Sequence, residues 1–315
     1  MSEIKKTTSS NKYEYYSILT VYNSMGNKLK YVERLKQFIF SHIHPKENAI
    51  SMIRLLEKLV ADKYSDEYIY TELRKEYNLI KNNSKQIRND EGRAEYRCRE
   101  IIELLPADFK PTSLLDIGCD TGIITTTLGN MLDIDKANIH GADIISTNKM
   151  PKLVDGFNYH KINGSNIPLD GNSIDLITVL MVLHHVDKKK IGRLLKSIRN
   201  VLKPNGILVI REHDCDTKAE SLLPDLLDIT HGIYSMVLSD PSEHDNFSAE
   251  YYAKYNNMSY WKYNISKRGF TILRQFLQVK IDKRISYNKK GNIINPFRQY
   301  FHVFKKDSHK SDNID

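Results

Sequence analysis

The fold of this 315-residue chain is indicated by one stretch, Ser113-Leu114-Leu115-Asp116-Ile117-Gly118-Cys119-Asp120-Thr121-Gly122. The short apolar run at its start predicts a buried parallel strand, and the two glycines predict a turn into a helix over 123–132. Glycine lets the backbone approach a ligand that a side chain would push away, and the helix that follows offers free N–H groups. The stretch therefore predicts a ligand-binding turn.

Apolar runs after this turn predict further strands of one sheet. A long amphipathic run over 188–202 predicts a helix between two of the strands, and Lys203-Pro204-Asn205-Gly206 predicts a turn before the last of them. The predicted strands are 138–144, 159–163, 174–180 and 207–210. Strands that alternate with helices in this way are typical of a parallel sheet covered on both faces.

This order of motifs, with Leu183-His184-His185 after the fourth strand and Leu202-Lys203-Pro204-Asn205-Gly206 before the fifth, resembles the class I S-adenosylmethionine (SAM)-dependent methyltransferases of the small type 11-like kind. The resemblance covers about residues 111–306. It implies an α/β fold with a Rossmann-like, seven-stranded, mostly parallel sheet that ends in an antiparallel strand pair, here 271–280 and 297–304. It also implies SAM as the cofactor.

The resemblance places eight residues at the cofactor. Asp143, at the end of the second strand, would accept from both ribose hydroxyls, because a carboxylate offers two acceptor oxygens. Asp120 replaces a glycine that is usual in the family, and it would either accept from the SAM ammonium or repel the SAM carboxylate. The implied cofactor residues are Asp116, Gly118, Asp120, Gly122, Asp143, Ser165, Asn166 and Met181. The dinucleotide fingerprint G-x-G-x-x-G is missing from this turn, which argues against NAD.

Candidate catalytic residues follow the fifth strand. We predict His213 as the base or as the group that orients the acceptor. Arg211 or Glu212 would contact the substrate, and Asp214 would orient the imidazole. Burying unpaired charge is costly, so we expect that these four consecutive ionisable residues do not all enter the core. His184-His185 is a weaker candidate, because the family carries this pair whatever its substrate. The histidine spacing predicts no metal site.

Composition gives a weaker indication of the partner. The net charge of +8 favours RNA or another polyanion, although a general excess of lysine would produce the same charge. Aromatic and basic residues alternate over 248–268, a pattern that could stack bases and meet phosphates. We therefore predict an RNA or nucleotide-containing acceptor, with a small metabolite or lipid, or a noncatalytic methyltransferase-fold subunit, as alternatives.

The chain is predicted to form a helical extension over 1–105, a methyltransferase domain over 106–306 and a polar tail over 307–315. Apolar residues at helical spacing predict four or five helices and no strand before the domain. No run of about 18 apolar residues occurs, and the first residues carry no apolar leader. We expect an intracellular, soluble protein without a membrane partner.

Overall fold

The structure, a computed structural model, describes residues 45–80, 90–144, 153–216, 254–280 and 297–307. The chain divides into two compact units. One unit contains residues 45–80, and the other contains 88–215, 255–279 and the chain from 298 onward. In the described ranges, no helix is long and apolar enough to cross a membrane.

The described part of the first unit is a pair of helices, α1 (Lys46–Ala61) and α2 (Asp66–Ile80). Leu56 of α1 and Leu73 of α2 are buried, in agreement with the predicted helical spacing. The Ser51 hydroxyl of α1 donates to Glu76 Oε1 of α2 at 2.6 Å. The part of the predicted helical extension before residue 45 lies outside the described residues.

The second unit is built on a seven-stranded sheet in the order β3-β2-β1-β4-β5-β7-β6. Strands β1 to β5 pair in parallel, and β7 pairs antiparallel with β5. The strands are β1 (Leu114–Ile117), β2 (Ile139–Asp143), β3 (Asn158–Lys161), β4 (Ile174–Leu180), β5 (Leu202–His213), β6 (Phe270–Lys280) and β7 (Phe297–Lys306). The predicted fold class is confirmed, with β7 inserted between β5 and β6.

Helices cover both faces of this sheet and complete its core. On one face, Cys98 and Ile101 of the helix over 90–104 pack with Leu114 and Phe301. On the other face, the Lys188–Val201 helix and Trp261 pack against β4 and β5. The helices are α3 (Asp90–Leu104), α4 (Ile123–Met131), α5 (Lys188–Val201) and α6 (Met258–Ser266), with short 3-10 turns at Lys136–Asn138 and Leu183–His185.

Strand β5 is longer at both ends than the predicted 207–210. Leu202 already pairs with Ile174, and the pairing is then interrupted before Leu176 pairs with Ile207. Asn205 in this interruption has a positive φ of 63°, so the predicted turn is present as an irregularity inside the strand. At the other end, pairing with β7 continues to His213, opposite Gln299.

The expectation that the four ionisable residues after Ile210 do not all enter the core is wrong. Arg211, Glu212, His213 and Asp214 are all buried, with at most 8% of any of them exposed. Burial is tolerated because distant parts of the chain supply partners, as buried polar groups require. Asp214, for example, accepts from the Met258 N–H at 2.8 Å and faces the Arg298 guanidinium at 3.4 Å.

Candidate active site

The predicted ligand-binding turn has a left-handed backbone at three positions. Gly118, Asp120 and Gly122 have φ values of 75°, 47° and 85°. A Cβ on Gly118 would lie 2.2 Å from Val182 Cγ2, so only glycine lets the turn meet the segment after β4. Asp120 adopts the left-handed conformation, which Asp tolerates better than most residues.

Asp116, the acidic residue of β1, is buried beneath this turn. Its Oδ2 accepts from the Thr125 hydroxyl at 2.7 Å, and its Oδ1 accepts from the Thr178 hydroxyl at 2.6 Å. Burial raises the pKa of Asp116 to about 6, although the two threonine hydrogen bonds act in the opposite direction. The carboxylate thus ties β1 to α4 and β4 directly under the turn.

Asp143, at the carboxyl end of β2, fixes the turn from the side. Its Oδ2 accepts from the Asp120 N–H at 3.1 Å, and its Oδ1 accepts from the Ile144 N–H at 2.6 Å. A carboxylate oxygen has two lone pairs, so one oxygen can accept from two donors. Asp143 therefore joins the end of β2 to the glycine turn that follows β1.

The other predicted cofactor residues lie beyond β3 and β4. The Ser165 hydroxyl and the N–H groups of Ser165 and Asn166 all donate to Asn163 Oδ1, at 2.9, 3.0 and 3.2 Å. Ser165 is buried and Asn166 is exposed. Met181 has a left-handed backbone, and its N–H donates to the Arg211 carbonyl at 2.8 Å.

A buried histidine–carboxylate pair lies where β4 and β5 end. Glu212 Oε2 lies 2.5 Å from His184 Nδ1, and Glu212 Oε1 accepts from the Leu183 N–H at 2.7 Å. Both side chains are 1% exposed. Glu212 therefore fixes the position of the Leu183–His185 turn and the orientation of the His184 ring.

Aromatic rings pack around this pair. The Tyr255 ring stacks on His184 with centroids 5.2 Å apart, and the His213 ring meets both of them edge-on at 5.3 Å. His185 lies 4.1 Å from His184, centroid to centroid. Burial and the neighbouring His184, Arg211 and His185 lower the pKa of His213 well below its usual range. His213 is consequently a neutral imidazole at neutral pH.

Known proteins resemble this chain over the sheet-bearing part. A family model described as a methyltransferase domain matches residues 90–240. Methyltransferases of Mycobacterium bovis and Mycobacterium tuberculosis, both called uncharacterized, are 29% identical over 126 residues, which is 38% of this chain and 46% of theirs. The similarity to methyltransferases thus includes the glycine turn and the ends of β4 and β5, which lie within the matched residues 90–240.

Two further proteins resemble parts of this chain. O-methyltransferase 3 of Dictyostelium discoideum is 26% identical over 133 residues, which is 36% of this chain and 28% of that protein. A solved SAM-dependent methyltransferase from Archaeoglobus fulgidus is 18% identical, with a TM-score of 0.47, over 69% of this chain and 94% of that one. The chain spans less than half the length of the curated relatives it matches.

The acceptor groups of the turn fit SAM. Burial and the charges of Asp116, Asp143 and Asp120 raise the pKa of the Cys119 thiol, which reflects three carboxylates around one turn. SAM would bring ribose hydroxyls, an ammonium and a sulfonium to these oxygens, whereas a pyrophosphate would bring like charge. Asp143 and Asp120 would hold the cofactor at this edge, and SAM supplies an activated methyl group.

The sequence did not indicate every residue that the structure brings together at this candidate site. The sequence favours His213 over His184, although Nδ1 of His184 lies 2.5 Å from the Glu212 carboxylate. Gln299, which accepts from Arg211, was not considered, because it lies 88 residues away in β7. No group of three or more metal-binding side chains occurs in the described ranges.

Proposed function

We propose that the methyltransferase domain transfers a methyl group from SAM to a small acceptor that gives its proton to the His184–Glu212 pair. The observation that supports this most directly is the 2.5 Å contact between His184 Nδ1 and Glu212 Oε2 beside the glycine turn. A carboxylate on one imidazole nitrogen fixes the tautomer and favours the protonated ring, which makes the other nitrogen a better base.

The acceptor would lie close to the cofactor because the two turns touch. Val182 contacts the backbone at Gly118, and the next residues form the turn that carries His184. Ligands of open α/β sheets bind outside the carboxyl ends of the strands, where both turns are found. Methyl transfer depends mainly on positioning, with reacting atoms about 3 to 3.5 Å apart.

Glu212 acts in this scheme as a positioning residue, and His213 as a neighbour of the acceptor. Glu212 holds both the Leu183 N–H and the His184 ring, so its loss would displace the turn. His213, which the sequence favoured as the base, has a pKa well below its usual range and would hold a proton less well. A base whose pKa lies near the working pH is more effective.

Burial favours a small acceptor over RNA. His184 and His213 are 1% and 3% exposed, which leaves little surface for a polymer. Trp261, predicted as a base-stacking residue, is a core residue with 1% exposure, and the exposed Tyr263 ring already carries Lys267 Nζ 5.1 Å from its centroid. RNA remains a second candidate because of the net charge of +8.

The test is calorimetric titration with SAM and with S-adenosylhomocysteine (SAH), followed by labelled methyl transfer into a small-molecule extract and into an RNA fraction. We expect micromolar binding of both ligands and label in the small-molecule extract. Label in RNA alone would support the second candidate. Binding without any transfer would support the noncatalytic alternative, and no binding would contradict the proposal.

The Glu212→Gln variant tests the mechanism, with Glu95→Gln as its control. Glu95 is on α3, and its side chain is 59% exposed. We expect Glu212→Gln to bind SAH as the wild type does and to lose about a hundredfold or more in turnover, since a general base contributes about that much. Equal turnover in the two variants would remove the pair from the chemistry.

A further inference from the structure

Arg211 is a buried cation at the carboxyl end of β5. It is 6% exposed, and its Nη2 donates to the neutral amide oxygen of Gln299. Its Nε has no hydrogen-bond partner, and it forms no ion pair with any residue in the described ranges. A guanidinium has five N–H donors, so most of its hydrogen-bonding capacity is directed at no acceptor in the described ranges.

A second guanidinium packs on the same aromatic ring as Arg211. The Cζ atoms of Arg211 and Arg97 are each 5.6 Å from the centroid of the same Phe301 ring. Arg97 comes from α3 and donates to Glu100, whose other carboxylate oxygen accepts from Gln278. Glu100 is thus already bonded on both oxygens, and it pairs with Arg97 rather than with Arg211.

This arrangement is electrostatically costly as it stands. Burial, followed by the charge of Arg97, lowers the pKa of Arg211 to about 9, although Glu100 and Glu212 act in the opposite direction. A buried charge that lacks an opposite partner destabilises the folded state, and such groups are typical of ligand sites. An anion next to Arg211 would remove the cost.

The pair lies at the edge of the sheet that carries the active site. Gln299 Nε2 is 4.0 Å from Met181 Sδ, and the Met181 N–H donates to the Arg211 carbonyl. Met181 directly follows β4, and Arg211 directly precedes Glu212, the partner of His184. The guanidinium of Arg211 is therefore placed near the ends of β4 and β5, where ligands of open α/β sheets bind.

We infer that Arg211 and Arg97 form a subsite for an oxyanion, a carboxylate or a phosphate, carried by the methyl acceptor. The inference rests on the proposed function and adds the chemical class of the substrate. A planar guanidinium matches either oxyanion with two parallel hydrogen bonds, which fixes orientation as well as affinity. The subsite would hold one end of the acceptor while the other end lies at His184.

Anion binding would also act on the neighbouring histidine. The positive charge of Arg211 is one cause of the lowered pKa of His213. An oxyanion on Arg211 offsets that charge, so the pKa of His213 rises when the acceptor binds. The subsite thus links acceptor binding to the protonation of the ring that packs against His184.

The test uses the full chain saturated with SAH and titrated with inorganic phosphate or malonate at constant ionic strength, with thermal shift and calorimetry as readouts. We expect the wild type and the control variant Arg274→Gln to bind both probes, and Arg211→Gln to lose about tenfold or more in affinity. Arg274 is a matched control because it lies on β6 and donates only to the Glu103 carbonyl, at 3.1 Å, among the described residues.

A second comparison identifies the molecule that carries the anion. SAH has a carboxylate, and methylthioadenosine has none, so Arg211→Gln should bind SAH and methylthioadenosine as the wild type does. A loss of SAH affinity alone would assign Arg211 to the cofactor and overturn the inference. Anion binding that is absent from the wild type, or equal in Arg211→Gln and wild type, would also overturn it.

The experiment also distinguishes misfolding of the Arg211→Gln variant, and failure of the proposed function, from failure of the subsite. If Arg211→Gln does not fold, Arg97→Gln carries the test, because Arg97 lies on a helix surface with 16% of its side chain exposed. Unchanged anion affinity in a folded Arg97→Gln would then overturn the inference. Failure of the wild type to bind SAH would contradict the proposed function, whereas SAH binding without anion binding contradicts only the subsite.

Discussion

His302 of β7 should make the stability of the sheet fall as the pH falls. Its side chain is fully buried between Tyr300 and Phe304, whose ring centroids are 4.6 and 5.4 Å away. Neither ring nitrogen has a hydrogen-bond partner in the described ranges. Burial, with a smaller contribution from Lys262, lowers the pKa of His302 from 6.5 to about 3.

The size of the effect follows from this shift. Because the folded pKa lies below the unfolded one, the unfolded state takes up a proton first, and stability is lost between pH 6.5 and about 3. The loss is about 1.4 kcal/mol per pH unit, or about 2 kcal/mol between pH 7.5 and pH 5. Other buried histidines contribute equally to the wild type and to variants at His302, so a comparison isolates this residue.

Two substitutions of His302 separate the effect of its titration on stability from the effect of its buried polar atoms. His302→Gln removes the titration and keeps a buried polar group, whereas His302→Phe removes both and suits an aromatic environment. Between pH 7.5 and pH 5, we expect the free energy of unfolding of both variants to rise by about 2 kcal/mol relative to that of the wild type. At pH 7.5, we expect His302→Phe alone to raise the free energy of unfolding, by about 1–3 kcal/mol. His302 does not titrate at this pH, so the gain comes only from removing buried nitrogens that lack hydrogen-bond partners.

The assay is urea unfolding followed by tryptophan fluorescence. Trp261 is the single tryptophan, it is 1% exposed, and it belongs to the same core as Tyr300 and Phe304. Its signal therefore reports on the environment of His302. Parallel pH profiles for the wild type and both variants would refute the reasoning, because they would show that His302 binds protons alike in the folded and unfolded states.

Three other predictions concern the active site. Asp143→Ala should weaken SAH binding about tenfold or more by calorimetry, since it removes the acceptor of the Asp120 N–H and of the ribose. His213→Ala should leave SAH affinity unchanged and lower kcat in a methyl-transfer assay. Thr178→Val removes a hydrogen bond that lowers the pKa of Asp116, so the pH below which SAM binding weakens should rise above about 6. Unchanged SAH affinity in Asp143→Ala, unchanged kcat in His213→Ala, or an unchanged pH dependence of SAM binding in Thr178→Val would remove that residue from its role.

The sequence predicted the parts of the fold that depend on neighbouring residues. The turn from β1 into α4 and the apolar strands follow local patterns, and Asp120 takes the left-handed backbone that its side chain tolerates. The ends of β5 could not be predicted in the same way. Its extension to His213 depends on pairing with Gln299, which lies far along the chain.

The same limit explains the error over the charged residues after Ile210. Moving a charged group from water into the core is costly, which argues against burying all four residues. This argument holds for groups that find no partner. Here the partners arrive from distant elements, such as Leu183 for Glu212 and Met258 for Asp214. Trp261 was misjudged for a related reason, since an aromatic–basic pattern does not tell which side of a helix meets the sheet.

The charges at the carboxyl edge of the sheet form two groups, and this division bears on where each of the two ligands binds. Carboxylates gather at the ends of β1 and β2, while Arg211 and Arg97 lie at the end of β5 and on α3. The first group suits a cationic donor, and the second suits an anionic acceptor. Because like charges repel and the site is buried, each ligand would be disfavoured in the other's place. The field of the protein would thus select the order of the two ligands along the edge before any side chain takes part in the chemistry.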